Sequence, residues 1–494
     1  MNQGNFSHIF RKFYFLSRPR RFGKSLLIST LQHLFEGRKD LFKELWIENA
    51  DWDWTPHPVL NFDFSEIDHD SPQTLRQSLI AKLQALGEKA GVRPQHAMLR
   101  TCFSDLIIRL FEKHGQKVAV LIDEYDQPLI THLGKGEEAL EIAKQNRDVL
   151  REFFGVLKGG NVNEALQFVF LTGISKFARV SIFSELNNLN DLTMQDPYSA
   201  ILGYTDEELR QHFDEHIKQL STRLNMPVEE TFRQIRDWYN GYRFSDLDLK
   251  VYNPFSALKL LDQSKFQSYW FETATPSFLV NLIKEKKYPI PDIENLAIRS
   301  TSFSTYDLDN LRLEPLLFQT GYITIKDYDS VLYQLGYPNQ EVKSSFLNCL
   351  YDAMVEVADT PVNEQLSRLH QYWEREELDH FIETANAILA AISYPHISGQ
   401  DEHYYHTVFC LMLAASGVLV PTEVFTSGGR IDMEVYFPKL LYVVELKCNQ
   451  SAEQAIAQIK AKKYFEKHLQ RGRKILLLGI NFNTRDCASG PGLA

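Results

Sequence analysis

One short stretch near the N-terminus constrains the fold of this chain more than any other. The apolar run Phe13-Tyr14-Phe15-Leu16 predicts a buried strand, and a helical pattern begins near Leu26 and stops at Gly37. Between them lies a loop that ends in Gly-Lys-Ser. A strand, a loop of this kind and a helix place unpaired backbone N–H groups at the helix N-terminus, where they favour an anion. The stretch therefore predicts an α/β domain with an anion site beyond its first strand.

The loop matches the phosphate-binding pattern G-x-x-x-x-G-K-[ST], except that Arg18 stands in the place of the first glycine. In this pattern Lys24 contacts the β- and γ-phosphate oxygens and Ser25 binds Mg²⁺. Pro19 removes one N–H donor from the loop. Three arginines add positive charge nearby: Arg18, Arg20 and Arg21. A lone Gly-Lys-Ser is common by chance, so an exposed basic turn is the alternative interpretation at this point.

Two later strands favour the nucleotide interpretation. The apolar run 118–122 ends in Asp123-Glu124, where the first carboxylate of a P-loop ATPase holds Mg²⁺ and the second activates the attacking water. The apolar run 168–171 ends in Thr172, at a position where such ATPases carry a polar residue that senses the γ-phosphate. A strand followed by an ordinary acidic turn is the alternative for the first feature. The three features in this order predict a mostly parallel sheet that binds ATP and Mg²⁺.

Composition limits the class of protein. The chain has 494 residues, enough for several domains, and its 44% hydrophobic and 24% charged residues are typical of globular proteins. With 53 basic and 64 acidic residues the net charge is −11, which argues against a protein coated by nucleic acid but not against a local basic site. The cysteines show no C-x-x-C spacing, and neither a membrane-spanning run nor a secretory signal pattern is present. We therefore expect a cytoplasmic protein with no membrane partner.

The C-terminal region predicts a second site, on a β-hairpin. Two strands that fold back about Pro438-Lys439 bring Asp432 opposite Glu445, and period-two alternation puts Lys447 on the same face as Glu445. Opposed carboxylates repel each other, so they need a cation. A divalent metal with oxygen ligands and a lysine suits phosphodiester hydrolysis. A solvated hairpin face is the alternative, although Glu445 and Lys447 interrupt an apolar run that is typical of a central strand.

The N-terminal region resembles a known family. Residues 15–25 read F-L-S-R-P-R-R-F-G-K-S, which is the characteristic P-loop of the bacterial AAA-ATPase-like family, and in that family the replaced first glycine is a regular feature. The resemblance covers residues 13–200 and implies ATP and Mg²⁺ as ligands. Further stretches resemble the family as well: 121–126, 171–175, 182–191, 238–244, 252–256 and 269–271.

The C-terminal region resembles the module that usually follows in this family, a PD-(D/E)XK nuclease-superfamily domain spanning about 345–485. Three stretches carry this resemblance: Gly429-Arg430-Ile431-Asp432, Glu445-Leu446-Lys447, and Gln458-Ile459-Lys460 with Tyr464. It implies a divalent metal, Mg²⁺ or Mn²⁺, at Asp432 and Glu445, and a catalytic role for Lys447. It also implies Glu402 as an additional acidic ligand and places Gln458 toward the site.

These inferences predict an α/β chain in three parts. Residues 1–200 form an AAA-like P-loop NTPase sheet, 201–345 a helical lid and connector, and 346–494 a restriction-endonuclease-like α/β domain with a helical lead-in. Glu124 is the expected catalytic residue of the ATPase. The expected nucleotide ligands are Arg20, Arg21, Gly23, Lys24, Ser25, Asp123, Thr172 and Arg243, with Ser25 and Asp123 on Mg²⁺.

Other residues have less defined expectations. Arg243 is either a lid sensor of the γ-phosphate or an arginine stacked among neighbouring aromatic rings. Arg179 is a weaker candidate for the same sensor role or for a role that acts in trans. His403 and His406 are expected outside the metal site, because metals of nucleases with oxygen ligands do not need them. Residues 313–343 suggest a small winged-helix-like connector.

The leading functional hypothesis is an ATP-driven switch whose nucleotide state gates cleavage of DNA or RNA. The alternative is a nucleotide-dependent regulatory or interaction protein whose nuclease-like domain binds without cutting. A third hypothesis is a remnant that no longer binds nucleotide. Association into a homo-oligomer is compatible with each of these hypotheses.

Overall fold

The computed structural model describes most of the chain, and the statements below refer to those residues. The described ranges are 12–176, 188–271, 277–286, 296–299, 311–355, 361–390, 402–418, 422–426, 429–437, 439–469, 472–483 and 492–493, with residues 293, 303 and 308. The chain divides into two compact units, 1–282 with 297–339 and 283–296 with 340–494. The division into three parts inferred from the sequence stays a prediction.

A five-stranded parallel sheet forms the centre of the first unit. Its strands are β1 (Phe13–Ser17), β2 (Val59–Asp63), β3 (Val118–Asp123), β4 (Leu166–Gly173) and β5 (Asn190–Asp191), in the spatial order β2-β3-β4-β1-β5. Every adjacent pair is parallel. β3 is buried along its whole length, as is typical of a parallel strand covered on both faces. The predicted parallel α/β sheet is therefore confirmed.

Helices and aromatic rings cover this sheet. On one side Ile28 packs with Leu121 and Phe170, and elsewhere in the unit the rings of Phe103 and Phe153 stack at 4.5 Å. The helices of this part are α1 (Lys24–Phe35), α2 (Pro72–Lys89), α3 (Leu99–His114), α4 (Gln127–Ile130), α5 (Glu137–Gly155) and α6 (Gly160–Ala165). The sheet is thus held by apolar contacts, while the loops at the carboxyl ends of its strands carry the polar residues.

The next part of the chain is mostly helical, as expected. The elements are α7 (Asp206–Leu224), α8 (Val228–Tyr239), α9 (Pro254–Gln263), α10 (Ser277–Lys286), β6 (Leu296–Arg299), α11 (Leu313–Thr320), β7 (Thr324–Tyr328) and β8 (Leu332–Gly336). α7 begins with a capping box between Thr205 and Glu208, which satisfies its first N–H groups. α11 is followed by the antiparallel hairpin of β7 and β8, and β6 completes a three-stranded sheet in the order β6-β8-β7.

The second unit contains a five-stranded mixed sheet and several helices. The elements are α12 (Gln340–Val355), α13 (Pro361–Glu374), α14 (Leu378–Ala390), α15 (Glu402–Ala415), β9 (Thr422–Thr426), β10 (Gly429–Tyr436), β11 (Leu440–Cys448), α16 (Ala452–Lys462), β12 (Lys474–Asn483) and β13 (Gly492–Leu493). The strands lie in the order β13-β12-β11-β10-β9. β9, β10 and β11 are antiparallel, whereas β11 and β12 are parallel. Met433 pairs with Val444 and Tyr436 with Leu441, so the predicted hairpin register is confirmed.

Within the described ranges, no helix combines the length and the apolar character that a membrane crossing requires.

Candidate functional site

The loop between β1 and α1 turns through two residues in the left-handed conformation. Arg21 has φ 65° and Gly23 has φ 85°. Gly23 is the N-cap of α1 and adopts this conformation without strain because it has no β-carbon. The first N–H groups of a helix have no partner within it, and they carry the positive end of the helix dipole. The loop therefore provides the donors that a phosphate group needs.

Lys24 lies inside this loop and is only 6% exposed. Its Nζ donates to the carbonyl oxygen of Pro19 at 3.2 Å. Burial lowers the pKa of Lys24, and the nearby carboxylates of Asp123, Glu124 and Asp126 act against this. The ammonium group is therefore close to the carboxyl end of β3. A neutral carbonyl is a weaker partner for an ammonium than a phosphate oxygen, so a nucleotide would displace this contact.

Two carboxylates end β3, as predicted. Asp123 is 2% exposed, and its Oδ1 accepts a hydrogen bond from the backbone N of Glu124 at 2.9 Å. Glu124 has φ 50°, a conformation that costs energy for a residue with a β-carbon and that clusters at functional sites. Burial raises the pKa of both carboxyl groups, while Ser25 and Lys24 act to lower that of Asp123. The donor set of Ser25 and Asp123 suits Mg²⁺, which prefers oxygen ligands.

Asp126 is a buried part of this site that the sequence did not single out. Its Oδ2 accepts three hydrogen bonds, from Ile174 N at 3.1 Å, Ser175 N at 2.7 Å and Ser175 Oγ at 2.5 Å. The Tyr125 hydroxyl donates to the Ser175 carbonyl at 2.8 Å. These contacts fix the segment after β4 to the segment after β3. The only signal in the sequence was the acidic spacing after β3, which does not reveal a partner almost fifty residues away.

Thr172 and Arg243, the two predicted γ-phosphate sensors, both contact protein carbonyls. The Thr172 hydroxyl is buried and donates to the Leu16 carbonyl at 2.7 Å, which ties β4 to β1. Arg243 is 5% exposed and donates to the carbonyls of Ser245, at 3.1 Å, and Asp246. Thr172 lies near the carboxyl end of β4, beside β1, which is the strand that leads into the phosphate loop. A phosphate contact by either residue stays a prediction.

Arg18 is buried, in contrast to the expectation that it adds charge for a ligand. It is 1% exposed, and its guanidinium group donates to the carbonyls of Ser17 at 2.9 Å, Thr193 at 3.0 Å and Tyr198 at 2.8 Å. Burial lowers its pKa to about 9, which leaves it charged at neutral pH. The residue that replaces the first glycine of the loop thus anchors the loop to the segment after β5.

Arg20 and Arg21 are less enclosed. Arg20 is half-buried, and its carbonyl accepts a hydrogen bond from Trp270 Nε1 at 3.0 Å. Arg21 is exposed, with its guanidinium carbon 4.8 Å from the centre of the Phe255 ring. Both therefore remain accessible beside the loop, where their charge can act on an anionic ligand.

The second unit brings Asp432, Glu445 and Lys447 together. Asp432 Oδ2 accepts a hydrogen bond from the backbone N of Leu446 at 2.7 Å, which joins β10 to β11 beside Glu445. Glu445 is 2% exposed, and its Oε1 accepts from Lys447 Nζ at 3.0 Å and from Gln458 Nε2. α16 therefore contributes Gln458 to the same group of side chains.

The other oxygen of Glu445 has no partner. Oε2 is buried, and no donor reaches it among the residues that the structure describes. Burial raises the pKa of Glu445 to about 7, and the charge of Asp432 contributes to this rise. A buried carboxylate oxygen without a donor, beside a second carboxylate, is unfavourable unless a cation is present. The donor set therefore fits a divalent metal with oxygen ligands.

Glu434 offers a contrast on the same face of β10. It is 1% exposed, and its carboxylate accepts from Lys467 at 2.8 Å, from His468 at 3.0 Å and from Tyr436 at 2.5 Å. Burial by itself raises its pKa, but these hydrogen bonds together lower the pKa below the ordinary value. Glu434 is thus fully paired and anchors the residues that follow α16, a role that its position in the sequence did not predict.

For several predicted residues the structure does not describe the side chain. Glu402, His403 and His406 belong to α15 but their side chains are not described, and Arg179 lies between the described ranges. Over the described residues, no group of three or more His, Cys, Asp or Glu side chains has the arrangement of a metal site. Of the carboxylates predicted for the nuclease-type site, Asp432 and Glu445 are the two whose side chains the structure describes.

The fold and the two groups of side chains define a P-loop ATPase-type domain joined to a nuclease-type domain. Residues 8–183 match a family described as predicted AAA-ATPase, and residues 400–490 match the PD-(D/E)XK nuclease superfamily. A protein of Azotobacter chroococcum mcd 1, described as an uncharacterized protein in the vnfD 5′ region, is 36% identical over 493 residues, which cover 97% of this chain and 91% of that protein. The chain belongs to this AAA-ATPase-like family with a C-terminal PD-(D/E)XK domain, and both resemblances seen in the sequence are confirmed.

Proposed function

We propose that this protein binds and hydrolyses ATP at its P-loop, cleaves nucleic acid at a metal site in its second unit, and uses its nucleotide state to gate the cleavage. The presence of an AAA-ATPase-like domain and a nuclease-superfamily domain is the basis of the proposal. The two activities, their ligands and their coupling are what the proposal adds.

In the ATPase half, Lys24 binds the β- and γ-phosphate oxygens after it leaves the Pro19 carbonyl. Ser25 and Asp123 would hold Mg²⁺, which would supply positive charge to the phosphate groups. Glu124, whose pKa is raised by burial, orients the attacking water and accepts its proton. Gly23 together with Arg20 and Arg21 surrounds the phosphates. Thr172 and Arg243 are proposed to contact the γ-phosphate, and each must first exchange a carbonyl for a phosphate oxygen.

In the nuclease half, Asp432 and Glu445 hold Mg²⁺ or Mn²⁺, with Glu402 as a further ligand. The metal supplies Lewis acidity at the scissile phosphate. Lys447 positions a water and stabilises negative charge that develops in the reaction. The single observation that carries this half is the unpaired, buried Oε2 of Glu445 next to Lys447. The phosphodiester substrate is DNA or RNA, and the proposed location is the cytoplasm, where ATP is available.

The first test is cleavage of single- and double-stranded DNA and RNA with Mg²⁺ or Mn²⁺. We expect wild-type protein to cut at least one substrate and Lys447→Ala to lose activity by about 100-fold or more. The matched control is Lys439→Ala, an exposed lysine at the turn of the same hairpin, which should keep wild-type activity. Binding of nucleic acid without cutting by wild-type protein would instead favour the regulatory or interaction protein.

A second assay tests the gating. The cleavage rate is compared with ATP, with ADP and without nucleotide, in wild-type protein and in Lys24→Ala. We expect the rate of the wild type to depend on the nucleotide and that of Lys24→Ala to be independent of it. Equal rates of wild-type cleavage under all three conditions would remove the coupling and leave two independent activities.

A further inference from the structure

The end of α11 lies against the phosphate loop. Gly321, which follows this helix with φ 90°, packs so closely on the loop that an added β-carbon would lie 2.6 Å from Cβ of Pro19. Trp270, whose indole donates to the Arg20 carbonyl at 3.0 Å, has its ring 5.0 Å from that of Tyr322. The two residues after α11 are therefore held beside Pro19 and Arg20.

Gln319, in the last turn of α11, contacts the segment that follows β4. Its Oε1 accepts a hydrogen bond from the backbone N of Lys176 at 2.7 Å, and the residue is only 4% exposed. Lys176 follows β4, whose last residue, Gly173, pairs with Ser17 at the end of β1. In parallel α/β sheets ligands bind outside the carboxyl ends of the strands. Gln319 thus lies where the loop and the carboxyl end of β4 come together.

The amide nitrogen of Gln319 has no partner. Nε2 is buried, and no acceptor lies within hydrogen-bond distance in the described part of the chain. The identity of this atom follows from Lys176, because a backbone N–H can only donate and must therefore face the oxygen of the amide. Lys176 is itself held by an ion pair with Asp191 at 3.0 Å. Oε1 therefore has a fixed partner, and the buried N–H groups of Nε2 are left to find an acceptor.

A buried donor without an acceptor is unfavourable, and native structures rarely keep one unless something else supplies the acceptor. A nucleotide bound at the phosphate loop would supply such acceptors, namely its phosphate oxygens. The terminal phosphate is among the groups that the lysine of such a loop contacts. A hydrogen bond from a neutral amide to an anionic oxygen is stronger than one between neutral groups.

We propose that Gln319 donates from Nε2 to the terminal phosphate of ATP and thereby lets α11 distinguish ATP from ADP. The inference rests on the proposed ATP site and adds a residue more than 290 positions away from the loop in the sequence. Its two hydrogen bonds have separate roles. Oε1 holds the segment after β4 in place, and Nε2 contacts the nucleotide.

The test uses this separation. Gln319→Glu keeps an oxygen that accepts from Lys176 N–H but replaces the donor with an acceptor. We expect it to lower the affinity for Mg²⁺-ATP by about tenfold or more and to change the affinity for Mg²⁺-ADP by less than about threefold. Both affinities are measured by competition with a fluorescent nucleotide on the full chain, with the melting temperature recorded in parallel. Gln334→Glu, at an exposed glutamine of β8, is the matched control and should leave both affinities unchanged.

Gln319→Met gives the same comparison if the acidic variant does not fold. It keeps the volume of the side chain but removes both the hydrogen bond with Lys176 and the proposed one with the nucleotide. It should also lose ATP affinity selectively, with a lower melting temperature. Equal losses of ATP and ADP affinity in these variants, or an unchanged ATP-to-ADP ratio, would overturn this inference alone. Failure of wild-type protein to bind ATP would overturn the proposed ATP site together with it.

Discussion

At the scale of single residues, the surroundings of a buried carboxylate decide its role more than the residue type does. Glu434 and Glu445 lie on one face of the β10–β11 hairpin, and both are almost completely buried. Three side chains donate to Glu434, and its pKa is lowered below the ordinary value. Glu445 keeps one oxygen without a donor, and its pKa is raised to about 7. The first residue therefore stabilises the fold, and the second is available for a cation.

This contrast predicts that the stability of the metal-free protein depends on pH. Because the pKa of Glu445 is raised from its ordinary value of 4.5 to about 7, the folded state keeps a proton that the unfolded chain has lost. Its contribution to stability is therefore complete below pH 4.5 and is lost as the pH rises through about 7. We expect the melting temperature of the second unit in EDTA to fall between pH 5 and pH 8, and to fall less in Glu445→Gln.

The control for this measurement is Glu434→Gln. The lowered pKa of Glu434 means that its ionised form is favoured in the folded state, so this variant should be destabilised at pH 8. An identical pH dependence of melting in wild type and Glu445→Gln would contradict the assignment of the pH effect to Glu445.

Arg18 supports a second prediction at this scale. Its guanidinium group satisfies the carbonyls of Ser17, Thr193 and Tyr198, so Arg18→Met leaves several buried acceptors without a donor. We expect the free energy of unfolding of the first unit to fall by about 3 kcal/mol, as measured by urea denaturation. The free energy of unfolding of Arg18→Lys should lie between those of the wild type and Arg18→Met, because an ammonium group cannot reach all of these carbonyls.

Arg38→Met is the matched control, since Arg38 is exposed and forms an ion pair with the exposed Asp40 at 3.0 Å. It should show no resolvable change in urea denaturation. If Arg18→Met were as stable as this control, the role of Arg18 as an anchor of the loop would be wrong.

Some of these residues can be singled out from the sequence and others cannot. The sequence singles out Lys24, Asp123 and Glu445 because each lies in or beside an apolar strand, at a spacing with a chemical meaning, and their roles stay predictions. The contacts of Arg18 and Gln319 join positions that are more than 140 residues apart in the sequence. A local sequence pattern contains no information about such distant partners. For this reason the sequence predicts that Arg18 adds charge beside a ligand, whereas in the structure it binds protein carbonyls.

At the scale of secondary-structure elements, the predictions were best where one physical signal dominates. The register of β10 and β11 followed from strict alternation about a short turn, and the structure has the same pairs. The parallel strand β5 was not predicted, because it has only two residues and no apolar run. The order β2-β3-β4-β1-β5 was not predicted either, since it depends on which strands the crossover connections bring together.

The contact between α11 and the phosphate loop gives a prediction at this scale. Gly321→Ala introduces a β-carbon at φ 90° and places it 2.6 Å from Pro19, so the end of α11 must move away from the loop. Gly115→Ala is the matched control, because Gly115 ends α3 with φ 64° and has no atom within 4 Å of the added carbon. The strain of the left-handed conformation costs about 1–2 kcal/mol in each variant.

We therefore expect Gly321→Ala to lose more stability than Gly115→Ala and to lose ATP affinity as well, whereas Gly115→Ala should bind ATP normally. The measurements are urea denaturation and nucleotide titration of both variants. Equal ATP affinities in the two variants would mean that the position of the α11 end does not influence the nucleotide site.

At the scale of the whole molecule, the two candidate sites described above belong to different compact units. The parallel sheet, the phosphate loop and α11 belong to the first unit, and the hairpin with Asp432 and Glu445 belongs to the second. The aromatic ring of Phe22, within the loop, contacts Tyr242 and Phe244 at 4.9 and 5.4 Å. The sequence suggests that residues such as Arg243 belong to a lid near the nucleotide. It does not indicate that the neighbouring Tyr242 and Phe244 lie in the same compact unit as the phosphate loop, because this depends on ring contacts between positions far apart in the sequence.

The assignment of the two candidate sites to different compact units predicts how ligands stabilise the protein. A ligand that binds only the folded state at a concentration of about 100 times its Kd adds about 2.7 kcal/mol of stability. We expect Mg²⁺-ATP to raise the melting temperature of wild type and of Asp432→Asn, but not that of Lys24→Ala. Mn²⁺ alone should raise the melting temperature of wild type and of Lys24→Ala and have a smaller effect on Asp432→Asn. Loss of both responses in either single variant would contradict two self-contained sites.

Because gating acts on the rate of cleavage, it is compatible with separate binding. This thermal experiment and the cleavage assay therefore test different parts of the proposal.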